Sequence, residues 1–149
     1  MPRWKEVEAA EPEFAARVHR LFDAGRHKTI ATVRADGAPR VSGIECEFAD
    51  GEVRFGSMAP ARKLADLKRD PRFALHGPTF HPVVGKEGEW PGEAKIAGRA
   101  ISSGPPEEGA ESFTADITEI AITHLNAEAT KLVVEWWTPA RGLQMIERD

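Results

Sequence analysis

The stretch Phe55-Gly56-Ser57-Met58-Ala59-Pro60-Ala61-Arg62-Lys63 holds the residues whose types and spacing best suit chemistry. An apolar strand pattern ends at Phe55, Ser57 supplies a hydroxyl, and Pro60 opens a helix with Arg62 and Lys63 in its first turn. Unpaired N–H groups and the positive end of the helix dipole point outward from a helix start. Cations are disfavoured there unless an anion joins them. A guanidinium fork, an ammonium and a hydroxyl are the groups that grip phosphate oxygens. Spacing alone leaves two readings open: a phosphate-type anion site, or two solvated charges on a surface turn.

The rest of the composition narrows the chemistry. Cys46 is the single cysteine, which excludes an internal disulfide and a cysteine-based zinc site within one chain. It lies on the apolar face of its strand and reads as buried and inert. The histidines at 19, 27, 76, 81 and 124 are dispersed, without metal-ligand spacing. Glu107-Glu108 sits among prolines and glycines and reads as solvated charge. The net charge is -4 and no Lys/Arg run occurs, which argues against a nucleic-acid groove. Neither a signal-peptide pattern nor an apolar run of membrane-spanning length is present, so a cytoplasmic protein is expected.

Elements must then position the helix start. The chain has 149 residues, which fits one domain over 1–149 with one sizeable core. Phe14, Val18, Leu21 and Phe22 make one apolar stripe on a helix from Pro12 to Ala24. Lys28 to Ala35 is rich in β-formers, and Asp36-Gly37 signals a turn. From Arg40 to Phe48 the residues alternate: Ser42, Ile44, Cys46 and Phe48 share one face, Val41, Gly43, Glu45 and Glu47 the other. Asp50-Gly51 is a second turn, before a strand through Val53 and Phe55. The helix from Pro60 runs to about Arg69, with Leu64 and Leu67 inward. Further strands are expected over Phe73–His76, Ala94–Ser102, Lys131–Trp137 and Leu143–Glu147. A long loop covers Gly77–Glu93, Gly104-Pro105-Pro106 is a break, and Glu111–Leu125 is expected to be helical. Hairpin-linked strands without βαβ alternation predict a mainly β fold, a six-stranded antiparallel split barrel of Greek-key type with peripheral helices.

With these residues in place the chain resembles the pyridoxamine 5′-phosphate oxidase-like family of flavin-binding split barrels. The resemblance spans about Thr29 to Gly142. It is carried by the run from Thr29 to Gly37, by Pro39-Arg40-Val41-Ser42, by Ser57 with Arg62-Lys63-Leu64 and Leu67, by Asp70-Pro71-Arg72, and by Gly98-Arg99. It implies a homodimer with the cofactor at the subunit interface. It also implies an oxidoreductase acting on a small molecule, with no nucleic-acid or membrane partner. By position, Ser57, Arg62 and Lys63 would hold the cofactor phosphate, and Arg40, Val41 and Ser42 would line its ring through backbone groups. Trp136 and Trp137 face opposite ways, one to the core and one to the cleft or the dimer interface. Trp137 is the candidate for the cofactor, and Arg141 beside Gly142 either approaches it across the interface or lies on the surface.

The resemblance departs at two places. Glu93 stands where the oxidase has a cofactor-contacting glutamine, and an ionised carboxylate cannot donate to a ring carbonyl. The oxidase's C-terminal substrate arginine and histidine have no match, so oxidase activity itself is not expected. FMN is the expected cofactor, with the deazaflavin coenzyme F-420 as alternative and haem as a remoter one. Arg26, Lys28 and Lys131 are candidate cations for the longer F-420 tail. A non-catalytic flavin or haem carrier, or a structural dimer with a decayed site, remain alternatives to the enzyme.

Overall fold

The computed structural model describes residues 2–58, 60–104 and 109–149. The expected positions Ala59, Pro105, Pro106, Glu107 and Glu108 therefore lie outside the described residues. Two helices open the chain, α1 (Trp4–Ala10) and α2 (Pro12–Asp23). Strands β1 (Lys28–Val33), β2 (Pro39–Ala49) and β3 (Glu52–Met58) follow, then α3 (Arg62–Arg69) and β4 (Arg72–His76). Strands β5 (Glu93–Ser102), β6 (Ala110–Leu125), β7 (Leu132–Thr138) and β8 (Gly142–Arg148) complete the fold. The spatial order is β3-β2-β1-β4-β5-β6-β7-β8, and β3 also pairs with β6. All pairings are antiparallel. Six strands thus close into a barrel and β7–β8 extends it as a hairpin. The order 3-2-1-4 is the expected Greek key, with α3 in the connection from β3 to β4.

The two early hairpins form for local reasons. Asp36 Oδ1 accepts from the Ala38 amide at 2.9 Å, and Gly37 takes φ +86°. Asp50 and Gly51 both adopt positive φ, +54° and +73°, the pattern of a two-residue hairpin turn that matches strand twist. The predicted alternation of β2 holds: Ile44 is buried and Cys46 and Phe48 pack against the core, while Val41, Gly43, Glu45 and Glu47 face outward. The core is one cluster running from Trp4 and Phe22 through Ile30, Phe55 and Ile96 to Ile120 and Trp137.

Two expectations fail. The segment Glu111–Leu125, expected as a helix, is the body of β6, a strand of 16 residues. Phe113, Ala115 and Ile117 alternate inward, but at a bulge Gly98 faces Ile117 while Ala97 faces Glu119, which leaves Thr118 unpaired. The bulge breaks the period of two, and beyond it Ile120, Ala121 and Ile122 are all buried. That consecutive apolar run imitates a helix, although the β-branched residues favour the strand. The second failure is α1, which the sequence reading passed over. Only Trp4 and Val7 of its seven residues are buried.

Candidate functional site

α3 begins at Arg62, two residues beyond the expected opening at Pro60, and keeps Arg62 and Lys63 in its first turn. Ala61 at its N-cap offers no side-chain hydrogen bond, and no acidic residue stands in the first turn. Arg62 is exposed there and, among the described residues, has neither an ion-pair nor a hydrogen-bond partner. Lys63 is half-buried and its Nζ donates to the Gly43 carbonyl oxygen at 2.7 Å, which ties the helix start to the outer face of β2. Two of its three donors remain. Ser57, half-buried, sits one residue before the end of β3. The donor set fits a phosphate: an uncapped helix start, a guanidinium with no anion beside it among the described residues, and an ammonium held in place by a backbone carbonyl.

What fixes α3 is a residue the sequence reading did not single out. Asp66 is 2% exposed and accepts from Thr32 Oγ1 at 2.8 Å, Arg40 Nε at 2.7 Å and Arg69 Nη2 at 3.0 Å. Burial pushes its carboxyl up, but the hydrogen bonds from Arg40, Thr32 and Arg69 outweigh burial and hold it below the usual carboxylate range. Arg40, expected beside the cofactor ring, therefore spends its Nε on closing this end of the barrel. The signal was hidden because Asp66 lies one residue from Leu67 on a short charged helix, and its partners are on β1 and β2.

The other expected residues are spread over the molecule. Val41 is 70% exposed on the outer face of β2, and Ser42 is half-buried on the opposite face. Met58 at the end of β3 is 61% exposed, so two apolar side chains stand open on the strands that carry the helix start. Trp137 is buried in the core cluster, and its neighbour Trp136 is half-buried on the opposite face of the strand. Strand alternation sets which ring is inward, and the pairing of Trp137 with Ile120 points it at the barrel core. Arg141 lies exposed in the turn before β8, and its amide donates to Thr138 Oγ1 at 3.3 Å. Glu93 opens β5, with His76 Nε2 at 3.7 Å. Arg26 pairs with Glu45 at 2.7 Å, Lys131 reaches Asp149 at 3.9 Å, and Lys28 is buried. Among the described residues no group of His, Cys, Asp or Glu could hold a metal ion, and no helix is long and apolar enough to cross a membrane.

Comparisons with known proteins fit this geometry. A protein described as a pyridoxamine 5′-phosphate oxidase-related, FMN binding protein from Nostoc punctiforme superposes with a TM-score of 0.63 at 12% identity, over 93% of this chain and 96% of that one. PhzG from Burkholderia lata, solved with tetrahydrophenazine-1-carboxylic acid, gives 0.64 at 11% identity over 99% and 94%. An F-420 reductase gives 0.52 at 17% identity over 68% and 94%. At these identities the likeness is one of fold. A search of curated protein sequences finds no match. The sequence pattern of the pyridoxamine 5′-phosphate oxidase family, in contrast, matches residues 16–145. A match over that span, on a closed barrel of this topology, makes the chain a member of the pyridoxamine 5′-phosphate oxidase family.

Proposed function

We propose that the chain binds a flavin-type cofactor, FMN or the deazaflavin F-420, by its phosphate at the start of α3, and acts as an oxidoreductase on a small molecule. The observation that carries this reading is the Arg62 guanidinium, which has no partner among the described residues, on an uncapped helix start beside Lys63 anchored to Gly43. Arg62 and Lys63 would hold the phosphate oxygens with Ser57 as a further donor, while β2 from Arg40 to Ser42 would border the ring. The bound cofactor would supply the hydride or electron chemistry, and the chain would orient it and exclude water. The FMN-binding and F-420 neighbours support a flavin-type group without choosing between the two.

The reading includes a homodimer. Val41 and Met58 stand exposed beside the anchor, which suits a surface that a second copy covers. Arg141, and the Trp136 ring rather than the buried Trp137, are the side chains able to reach a partner's cofactor. Glu93, in place of a donor glutamine, favours a second reading: a structural dimer whose cofactor site has decayed. Titration of the protein with FMN and with F-420 separates the two. The anchor is tested by Arg62→Ala and Lys63→Ala. Each loses a charge-assisted hydrogen bond of about 1.5–3 kcal/mol, so each lowers cofactor affinity by about tenfold to a hundredfold with the fold intact. Unchanged affinity in both variants refutes the phosphate assignment.

A further inference from the structure

Lys28 opens β1 with its side chain turned into the barrel, on the same face as Ile30 and Thr32, and only 7% of it is exposed. A buried ammonium is normally matched by a carboxylate or saturated with acceptors, because removing it from water is costly. Lys28 has neither. Its Nζ makes one hydrogen bond, to the Arg26 carbonyl oxygen at 3.2 Å, and no ion pair among the described residues. Of the charges around it, Arg26 holds Glu45 at 2.7 Å and Arg54 holds Asp50 at 3.1 Å, while Glu47 has no ion pair within 4.0 Å among the described residues, Lys28 included. Cys46 cannot be a thiolate partner. Burial pushes its thiol up to about 11 despite the opposing pull of Lys28.

A cavity of about 400 Å³ opens beside this ammonium. Lys28 and Phe55 line it, with Cys46, Gly56 and Ser112, and Glu45 and Glu47 stand on its wall. We propose that this cavity is a carboxylate subsite, in which Lys28 receives the carboxylate of a small ligand whose apolar body rests against Phe55. Two free donors on a buried cation call for an anion, and the Phe55 surface calls for an aromatic or branched body. Arg26 and Arg54 also line the cavity, so three cations stand against the two carboxylates Glu45 and Glu47 and leave one positive charge, which a monocarboxylate balances and a phosphate dianion exceeds. The cavity adjoins the anchor, because Gly56 precedes Ser57 and Glu45 lies two residues beyond Gly43. That the occupant is the substrate rests on the flavin reading, whereas the subsite itself does not.

The test uses cofactor-free protein labelled with nitrogen-15. Sodium benzoate is titrated in, with benzamide as the neutral analogue and inorganic phosphate as the dianion. Benzoate shifts the amides of Lys28, Cys46, Phe55, Gly56 and Ser112 and saturates, while benzamide and phosphate bind about tenfold more weakly or worse. Lys28→Met abolishes the benzoate response and leaves the melting temperature equal or higher, since no internal partner is stranded. Equal binding of benzoate and benzamide, tighter binding of phosphate, or benzoate binding that survives in Lys28→Met overturns the proposal. FMN and F-420, each added to the same sample, read the anchor separately, so benzoate binding without binding of either cofactor retains the subsite and removes the cofactor reading.

Discussion

Replacing Asp66 by asparagine keeps the shape of a buried side chain and removes its charge. The wild-type carboxylate accepts from three donors, Thr32, Arg40 and Arg69. An amide places its own N–H₂ group against one of them and leaves at least one guanidinium without an anion. Arg69 is 42% exposed and its pairing is screened by water, whereas Arg40 is 20% exposed and its loss is felt. Breaking one side of a buried ion pair costs about 3–5 kcal/mol, and the partial access of Arg40 puts this case near 3 kcal/mol. In a chain of this size that lowers the melting temperature by roughly 6–12 °C. Because the folded carboxyl lies below its ordinary value, its stabilisation is present above about pH 4 and is lost as pH falls through the folded value. Asp66→Asn should therefore melt lower at neutral pH and converge with wild type in acid. Thermal denaturation between pH 2 and 7, on the order of one scan per unit, reads both effects. A loss under about 2 °C, or a gap that does not close in acid, refutes the reasoning. The same variant should bind cofactor more weakly, because Asp66 holds α3 against β1 and β2.

Other outcomes follow from single residues. Gly98 faces the bulge, and a Cβ there would stand 1.9 Å from the Asp116 carbonyl oxygen, backbone against backbone. Gly98→Ala should cost about 3 kcal/mol, the upper range of overpacking, seen as a lower urea midpoint with unchanged slope. Cys46 has its thiol raised to about 11, so iodoacetamide should label folded protein slowly at neutral pH. Thiol-linked stability is present below the ordinary value near 8.5 and is lost as pH rises towards 11, which Cys46→Ala removes from the alkaline limb of a pH–stability profile.

The hairpins were legible because their instructions are local. Asp36-Gly37 and Asp50-Gly51 carry the φ signs their turns demand, and β2 alternates strictly. β6 was not legible, since its period depends on a bulge set by Gly98 on another strand. The start of α3 was readable from the contradiction of two cations at a helix N-terminus. Asp66 and Lys28 were not. Each looks like an ordinary surface charge in sequence, and only the closure of the barrel buries them. The two tryptophans show the same limit, because adjacency tells that they face opposite ways and register alone tells which faces in.

The central claim is that the start of α3 holds a flavin-type cofactor by its phosphate. Fluorescence titration of cofactor-free protein with FMN and with F-420, each repeated on Arg62→Ala, tests it most directly. The account predicts saturable binding of one of the two by wild type, weakened by about tenfold or more in the variant. Binding of neither, or equal binding by the variant, contradicts it.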